Sequence, residues 1–151
     1  FTRDSYPIQF DYNYSYPITP ALEAVIELVK DMADDAAIDA SRIYITGLSM
    51  GGMGTFEAVG RYPELFTAAA PVCGGGDAAA YKAAQAKVPF WIFHGSADGV
   101  VPVENSRKMY QRLLSLGARV IYKEYPGVNH NSWDNAYAEV SLLPWLFSRR
   151  K

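Results

Sequence analysis

The chain has 151 residues, of which 50% are hydrophobic and 20% charged, and this composition is typical of a single globular domain. Its net charge is -2 and its one basic run lies at residues 149–151, so we expect no nucleic-acid-binding surface. The single cysteine, Cys73, excludes an intrachain disulfide, and no apolar run is long enough to span a membrane, while a secreted and a cytoplasmic location are both compatible with the sequence.

The chain divides into a tyrosine-rich segment, residues 1–18, which we expect to be extended, and a region of alternating helices and strands, residues 19–151. Aromatic residues alternate between Phe10 and Tyr16, a pattern compatible with a short edge strand. Thr19 and Pro20 are typical of a helix N-terminus, and apolar residues at helical spacing predict a helix that ends near Asp35.

The rest of the sequence predicts strands and helices in alternation. Runs of apolar, β-branched and aromatic residues predict strands at residues 42–46, 66–72, 88–93 and 120–125. Helices are expected at residues 50–61, 78–86 and 102–116, with Gly117 as a left-handed C-cap, and from residue 133 onward, interrupted or restarted at Pro144. Strands without a polar face that alternate with helices predict an α/β fold, a mostly parallel sheet with helices on both faces.

A G-x-S-x-G sequence at residues 47–51 lies where the predicted strand passes into the following helix. At a strand-to-helix junction this pattern is typical of a nucleophile elbow, a sharp turn that exposes a serine hydroxyl. We expect Gly47 and Gly51 to remove collisions around the strained serine, and Gly52 and Gly54 to let the helix pack close to the sheet. Ser49 is therefore the predicted nucleophile.

The helix that follows Ser49 also suits a developing oxyanion, because its dipole and its free N–H groups favour negative charge. We expect the backbone N–H of Met50 to be one oxyanion donor. The other common use of a glycine-rich turn, a phosphate-binding loop, requires a Lys-Ser or Lys-Thr pair after the glycines, and none follows.

A serine nucleophile needs a base, and the chain has two histidines. His130, in the loop after the last predicted strand, is the expected base, whereas the position of His94 directly after a buried strand favours a structural role. Asp98 is the expected acid, because it lies just past a strand end and completes the order nucleophile, acid, histidine of α/β-hydrolases. The alternative acids are Asp77 and Asp134. No carboxylate and histidine cluster has metal-ligand spacing, so we expect neither a metal nor a cofactor.

Four segments carry a family resemblance: residues 47–52, 70–76, 93–102 and 125–133, with the sequences GLSMGG, APVCGGG, FHGSADGVVP and YPGVNHNSW. In this order they resemble the α/β-hydrolase esterases related to dienelactone hydrolase and polyhydroxybutyrate depolymerase, also described as predicted peptidases or phospholipase/carboxylesterases. The resemblance covers residue 19 to the C-terminus. It implies the triad Ser49, Asp98 and His130 and the hydrolysis of short acyl esters or acylated carbohydrates.

Enzymes of this group carry further N-terminal strands and a loop with the second oxyanion donor, which this sequence lacks. The predicted strand 42–46 is central in their fold, and its unpaired edge would be an aggregation hazard. We expect the chain to be a fragment, or an additional chain or a symmetry mate to cover this edge, and residues 10–16 are a further candidate cover.

Three further expectations concern the activity. Peptidase or thioesterase activity would use the same triad as an esterase. A missing oxyanion donor would instead suit a non-catalytic remnant that folds or binds a partner. Trp133, beside the predicted base, is a candidate wall of the substrate site.

Overall fold

The computed structural model describes residues 10–151, which form a four-stranded sheet in the order β1-β2-β3-β4. The strands are β1 (Tyr44–Leu48), β2 (Ala68–Val72), β3 (Phe90–Gly95) and β4 (Val120–Tyr125). The α-helices are α1 (Pro20–Ala33), α2 (Met50–Arg61), α3 (Glu104–Ser115), α4 (Trp133–Tyr137) and α5 (Leu142–Phe147). Every neighbouring pair of strands is parallel, which confirms the predicted α/β fold class.

Two apolar clusters, one on each face of the sheet, form the core. The first lies between the sheet and α1, α2 and α3, and it includes Phe56 and Phe90. The second lies between the sheet and α4 and α5, and it includes Trp91 and Leu146. Because successive side chains of a strand point to opposite faces, neighbouring residues of β3 enter different clusters. None of the helices within residues 10–151 is long and apolar enough to cross a membrane.

The predicted helix ends at Thr19 and Gly117 are confirmed. The Thr19 hydroxyl accepts a hydrogen bond from the N–H of Leu22 at 3.4 Å, and Pro20 is the first residue of α1. Gly117 follows the C-terminus of α3 with a φ of +74°, the left-handed conformation that a glycine C-cap supplies without strain. These caps set where α1 begins and α3 ends.

The first strand begins two residues later than predicted. The Asp39 carboxylate accepts a hydrogen bond from the N–H of Ser41 at 3.0 Å and caps a 3-10 turn, Ala40–Arg42. That turn removes Arg42 from the strand. At its other end β1 extends to Leu48, which pairs with Val72 of β2.

The predicted helix at residues 78–86 is wrong. The Asp77 carboxylate accepts hydrogen bonds from the N–H groups of Ala79 and Ala80, both at 3.1 Å. The side-chain oxygen of Gln85 accepts one from the N–H of Lys82 at 2.8 Å. Side-chain acceptors of this kind compete with the helical backbone, and only a 3-10 turn, Gln85–Lys87, forms here.

The strands differ in their surroundings. The central strands β2 and β3 are buried along their whole length, as predicted, whereas β1 and β4 are only partly buried. Within residues 10–151, β1 pairs with β2 alone. Its second edge therefore has no strand partner among these residues.

Within residues 10–18 the tyrosine-rich segment does not cover that edge. Residues 10–16 form no strand, so the predicted edge strand is wrong. The N–H of Tyr14 donates to the Asp77 carboxylate at 3.0 Å, and its ring lies against Gly60 of α2. The segment thus packs on α2 instead of β1. The remainder of the predicted N-terminal segment, residues 1–9, lies outside the described residues.

Helix α2 approaches the sheet most closely at Gly52. A Cβ at this position would collide with the carbonyl oxygen of Val72, so the role predicted for Gly52 is confirmed. A Cβ at Gly54 would meet nothing within 4 Å, so the same role predicted for Gly54 is wrong.

These two glycines give a matched pair of substitutions in one helix. We expect Gly54→Ala to raise the free energy of unfolding by about 0.5–1 kcal/mol, because alanine is favoured over glycine inside a helix. We expect Gly52→Ala to lower it by roughly 1–3 kcal/mol, because the added methyl group overpacks α2 against β2. Urea denaturation followed by circular dichroism measures both changes, and equal effects of the two substitutions would contradict the packing described.

Candidate active site

Ser49 lies between β1 and α2 with a strained backbone. Its φ of 53° and ψ of -117° place a non-glycine residue at positive φ, as expected for a nucleophile elbow. The Ser49 N–H donates to the carbonyl oxygen of Val72 at 3.0 Å and lies 3.3 Å from the Sγ of Cys73. These contacts with the end of β2 hold the turn in place.

The turn depends on a close approach of two backbone segments. A Cβ at Gly47 would collide with the carbonyl group of Gly51, so only glycine fits at position 47. A Cβ at Gly51 itself would meet nothing within 4 Å, so the collision predicted at that position is wrong. Gly51 takes part in this close approach through its carbonyl oxygen, which lies against Gly47 and accepts a hydrogen bond from the Thr55 hydroxyl at 2.8 Å.

The structure brings together the side chains of Ser49, His130 and Asp98. The Ser49 Oγ lies 2.8 Å from His130 Nε2, and His130 Nδ1 lies 2.8 Å from Asp98 Oδ2. The three residues follow the carboxyl ends of β1, β4 and β3, which meet at one edge of a parallel sheet. The result is a continuous hydrogen-bonded chain from hydroxyl to carboxylate.

The Asp98 carboxylate is fully buried and held by several donors. Its Oδ1 accepts hydrogen bonds from the N–H groups of Val100 and Val101, both at 2.9 Å. Its Oδ2 faces His130 Nδ1, and because an ionised carboxylate only accepts, that nitrogen carries the proton. In a neutral imidazole His130 Nε2 is then free to accept the proton of Ser49.

Two residues join the loop after β3, which carries Asp98, to the loop after β4, which carries His130. Neither of them has a role predicted from the sequence. The side-chain oxygen of Asn129 accepts hydrogen bonds from the N–H of Gly99 at 3.0 Å and of His130 at 2.7 Å. A Cβ at Gly95 would collide with the carbonyl oxygen of Val128, so glycine lets the two loops touch. Gly95 directly follows His94 and Asn129 directly precedes His130 in the segments that carry the family resemblance, and this position could have marked them as candidates.

The alternative candidates, one histidine and two aspartates, each form hydrogen bonds of their own. His94 is fully buried, with Nδ1 2.7 Å from Ser106 Oγ and Nε2 3.0 Å from the Val101 carbonyl oxygen. Asp77 caps the turn after β2, and the Asp134 carboxylate lies 3.2 Å from the Asn131 amide in the first turn of α4. Neither of these aspartates contacts His130 through a hydrogen bond.

The N-terminus of α2 presents free backbone donors beside Ser49. The first helical hydrogen bond joins the N–H of Met53 to the carbonyl oxygen of Ser49 at 3.0 Å. The N–H groups of residues 50–52 precede it and have no acceptor within the helix. Met50 as a whole is 74% exposed, so this end of α2 lies at the surface.

Trp133 packs edge-on against the ring of His130, with 5.3 Å between the ring centroids. This contact restricts the rotation of the imidazole. The partly buried indole therefore lies next to the Ser49 and His130 pair.

One group beside Ser49 has spacing compatible with a metal. Ligand atoms of Cys73, Asp98 and His130 all lie within 4.8 Å of one another. Burial raises the pKa of the Cys73 thiol to about 11, which disfavours the thiolate that binds metals. Asp98 and His130 are also hydrogen-bonded to each other. The arrangement therefore suits proton transfer better than metal coordination.

Comparisons with known proteins give a consistent family assignment. A family model described as Phospholipase/Carboxylesterase matches residues 9–142. A crystal structure of a thermostable esterase is 42% identical and aligns with a TM-score of 0.83 over 88% of this chain and 38% of its own.

Two curated relatives are esterases by name. A bifunctional acetylxylan esterase/xylanase from Neocallimastix patriciarum is 34% identical over 90 residues, which are 58% of this chain and 13% of that protein. An esterase from Mycobacterium tuberculosis is 34% identical over 75 residues, 49% of this chain and 17% of that protein. The chain thus matches only a small part of the length of each relative.

The buried His94 gives a prediction for the pH dependence of stability. Burial lowers the pKa of His94 below its usual value, so at pH values just below about 6.5 the unfolded chain binds more protons than the native one. The free energy of unfolding should therefore fall as the pH is lowered from about 7 to about 5. Urea denaturation at several pH values measures this slope.

The His94→Gln variant is the control, because a glutamine side chain does not titrate and the rest of the chain is unchanged. We expect a shallower slope in the variant. Equal slopes in the two proteins would show that His94 is not held neutral by burial.

Proposed function

The chain belongs to the phospholipase/carboxylesterase family, and on this premise we propose that it hydrolyses carboxylic esters with Ser49, His130 and Asp98 as its catalytic triad. The observation that carries the proposal is the pair of 2.8 Å contacts that link the Ser49 hydroxyl through His130 to the Asp98 carboxylate. The α/β-hydrolase fold and the positive φ of Ser49 support the same reading.

The proposed reaction is acyl transfer in two steps. His130 Nε2 takes the proton of Ser49 as the Oγ attacks the ester carbonyl, and it then gives that proton to the leaving alcohol. Water, activated by the same nitrogen, hydrolyses the acyl-enzyme. Asp98 holds the imidazole in the productive tautomer and stabilises its charged form. The N–H of Met50 is the proposed oxyanion donor at the N-terminus of α2.

The proposed substrates are short acyl esters or acylated carbohydrates. One relative bears the name bifunctional acetylxylan esterase/xylanase, which supports a sugar ester as the substrate. The indole of Trp133, next to His130, is the proposed wall of the site. Thioesters and peptides would use the same triad, but an amide has the poorer leaving group. Turnover of p-nitrophenyl acyl esters beside acetylated and feruloylated sugars, thioesters and peptides would rank these classes.

A fluorophosphonate probe tests the nucleophile and separates an esterase from a non-catalytic remnant. We expect covalent labelling of the native chain at Ser49, none in Ser49→Ala, and strongly reduced labelling in His130→Ala, because the hydroxyl needs its base. Peptide mapping by mass spectrometry locates the label. A native chain that is folded by circular dichroism and takes no label would refute the proposed enzyme and favour the remnant.

The role of the acid has its own test. We expect Asp98→Asn to keep the fold and to lower kcat by roughly ten-thousandfold, because the amide no longer favours the productive histidine tautomer. Asp134→Asn, on the exposed first turn of α4, is the matched control and should stay near the native rate. A near-native rate for Asp98→Asn would move the acid to another carboxylate.

We further propose that a second copy of this chain covers the second edge of β1. Within residues 10–151 this edge has no strand partner, and Leu48 at its end is 39% exposed. Light scattering over a concentration series should show association. Hydrogen exchange should show that the β1 amides facing away from β2 become protected as the protein associates. Protection of these amides in a concentration-independent monomer would contradict the proposal.

A further inference from the structure

His94 contacts the same carboxylate oxygen as His130. Its Nε2 lies 3.2 Å from Asp98 Oδ2, and the side chains of His94 and Asp98 are both fully buried. His130 Nδ1 lies 2.8 Å from that oxygen. One carboxylate oxygen therefore faces two imidazole rings, one on the side of the nucleophile and one in the core.

The surroundings of His94 define its tautomer. Nε2 lies 3.0 Å from the carbonyl oxygen of Val101, which only accepts, so Nε2 carries a proton. Because burial lowers the pKa of His94, the ring is neutral and Nδ1 is unprotonated.

Ser106 supports this tautomer. Its hydroxyl has one proton and two acceptors within reach, His94 Nδ1 at 2.7 Å and the Gly74 carbonyl oxygen at 3.0 Å. Because Nδ1 of the neutral ring is unprotonated and is the nearer of the two acceptors, we infer that the Ser106 hydroxyl donates its proton to Nδ1.

Few charged groups surround this ring. Asp98 and His130 face it from the loops after β3 and β4. Glu124 of β4 lies opposite His94 in the sheet register. The Glu124 carboxylate accepts hydrogen bonds from Arg107 at 2.6 Å and 2.9 Å. The His94 Nε2–H thus faces two acceptors, the Val101 carbonyl oxygen at 3.0 Å and Asp98 Oδ2 at 3.2 Å, and of these Asp98 belongs to the proposed triad.

We propose that His94 is a positioning residue for ester hydrolysis, an inference that rests on the proposed triad. Its Nε2–H, which also faces the Val101 carbonyl oxygen, lies close enough to Asp98 Oδ2 to hold that oxygen in the orientation that His130 needs. This approach gives that oxygen a second donor beside His130 and so limits how strongly Asp98 stabilises protonated His130. Ser106 acts one step further away, since its hydroxyl fixes the His94 tautomer.

A core-filling histidine and a positioning histidine differ in one measurable property. Loss of a core-filling ring lowers stability and leaves the pH profile of turnover unchanged. Loss of the Nε2–H donor leaves Asp98 with one imidazole partner, which strengthens its interaction with protonated His130. The acidic limb of the kcat/KM profile should then move to higher pH.

The experiment compares His94→Leu, which removes the donor, with His94→Gln, whose amide N–H reaches the place of Nε2. With p-nitrophenyl acetate as substrate, we expect His94→Leu to lower kcat about 10- to 100-fold and to move the acidic limb up by roughly 0.5–1 pH unit. His94→Gln should stay closer to the native profile. A folded His94→Leu variant with the native acidic limb, or a His94→Gln variant shifted as far as His94→Leu, would overturn the proposal.

Ser106→Ala keeps the experiment decisive if His94→Leu does not fold. This variant retains the ring but frees Nδ1, so we expect a shift of the acidic limb in the same direction and of smaller size. A native profile in Ser106→Ala would then count against the proposal.

A readout without turnover separates failure of this inference from failure of the proposed function. The chain has two histidines, so in the His94 variants the ring of His130 is the only one that titrates in an NMR experiment. We expect its titration midpoint to move up in His94→Leu and less in His94→Gln. An unmoved midpoint in a chain whose Ser49 reacts with the fluorophosphonate overturns the role of His94 alone, whereas an unreactive Ser49 overturns the triad.

Discussion

The close approach of backbone segments at the carboxyl edge of the sheet is the constraint on which the site depends. Gly47 lets the chain turn so sharply that Ser49 stands at positive φ, and Gly52 lets α2 begin directly against β2. Gly95 does the same for the loops that follow β3 and β4. A side chain at any of these positions would push apart groups that must lie within hydrogen-bond reach. The 2.8 Å contacts of His130 are a consequence of this packing.

Burial of the Asp98 carboxylate is the second feature that shapes this site, and it follows from the close approach of the loops. Once the two loops touch, the Asp98 carboxylate is shielded from water and must be satisfied by protein donors. Two backbone N–H groups and two imidazole rings meet that need. A buried carboxylate held in this way is oriented before any substrate binds, which is the condition for electrostatic catalysis. The burial of His94 at the end of β3 therefore bears on the site as well as on the core.

The sequence predicted the parts of this structure that depend on local signals. The bounds of α2 and β4 agree with the predicted ones, because the glycine-rich turn and the β-branched run are local features. The start of β1 and the helix predicted at residues 78–86 were wrong, because the side chains of Asp39, Asp77 and Gln85 take up backbone donors there. Ser49, Asp98 and His130 could be named because the chain has two histidines and one elbow sequence. The contacts of Asn129 and His94 could not be predicted, because they depend on how close the loops after β3 and β4 lie, and only the assembled sheet sets that distance.

The central claim is that Ser49 carries the acyl group during ester hydrolysis, and trapping that intermediate tests it most directly. The native chain is mixed with p-nitrophenyl acetate, quenched in acid during turnover, digested and mapped by mass spectrometry. We expect one acetyl group on the peptide that contains Ser49, and it should disappear as the substrate is consumed. Ester hydrolysis with the acetyl group on another residue would contradict the account, as would a complete absence of hydrolysis by the folded chain.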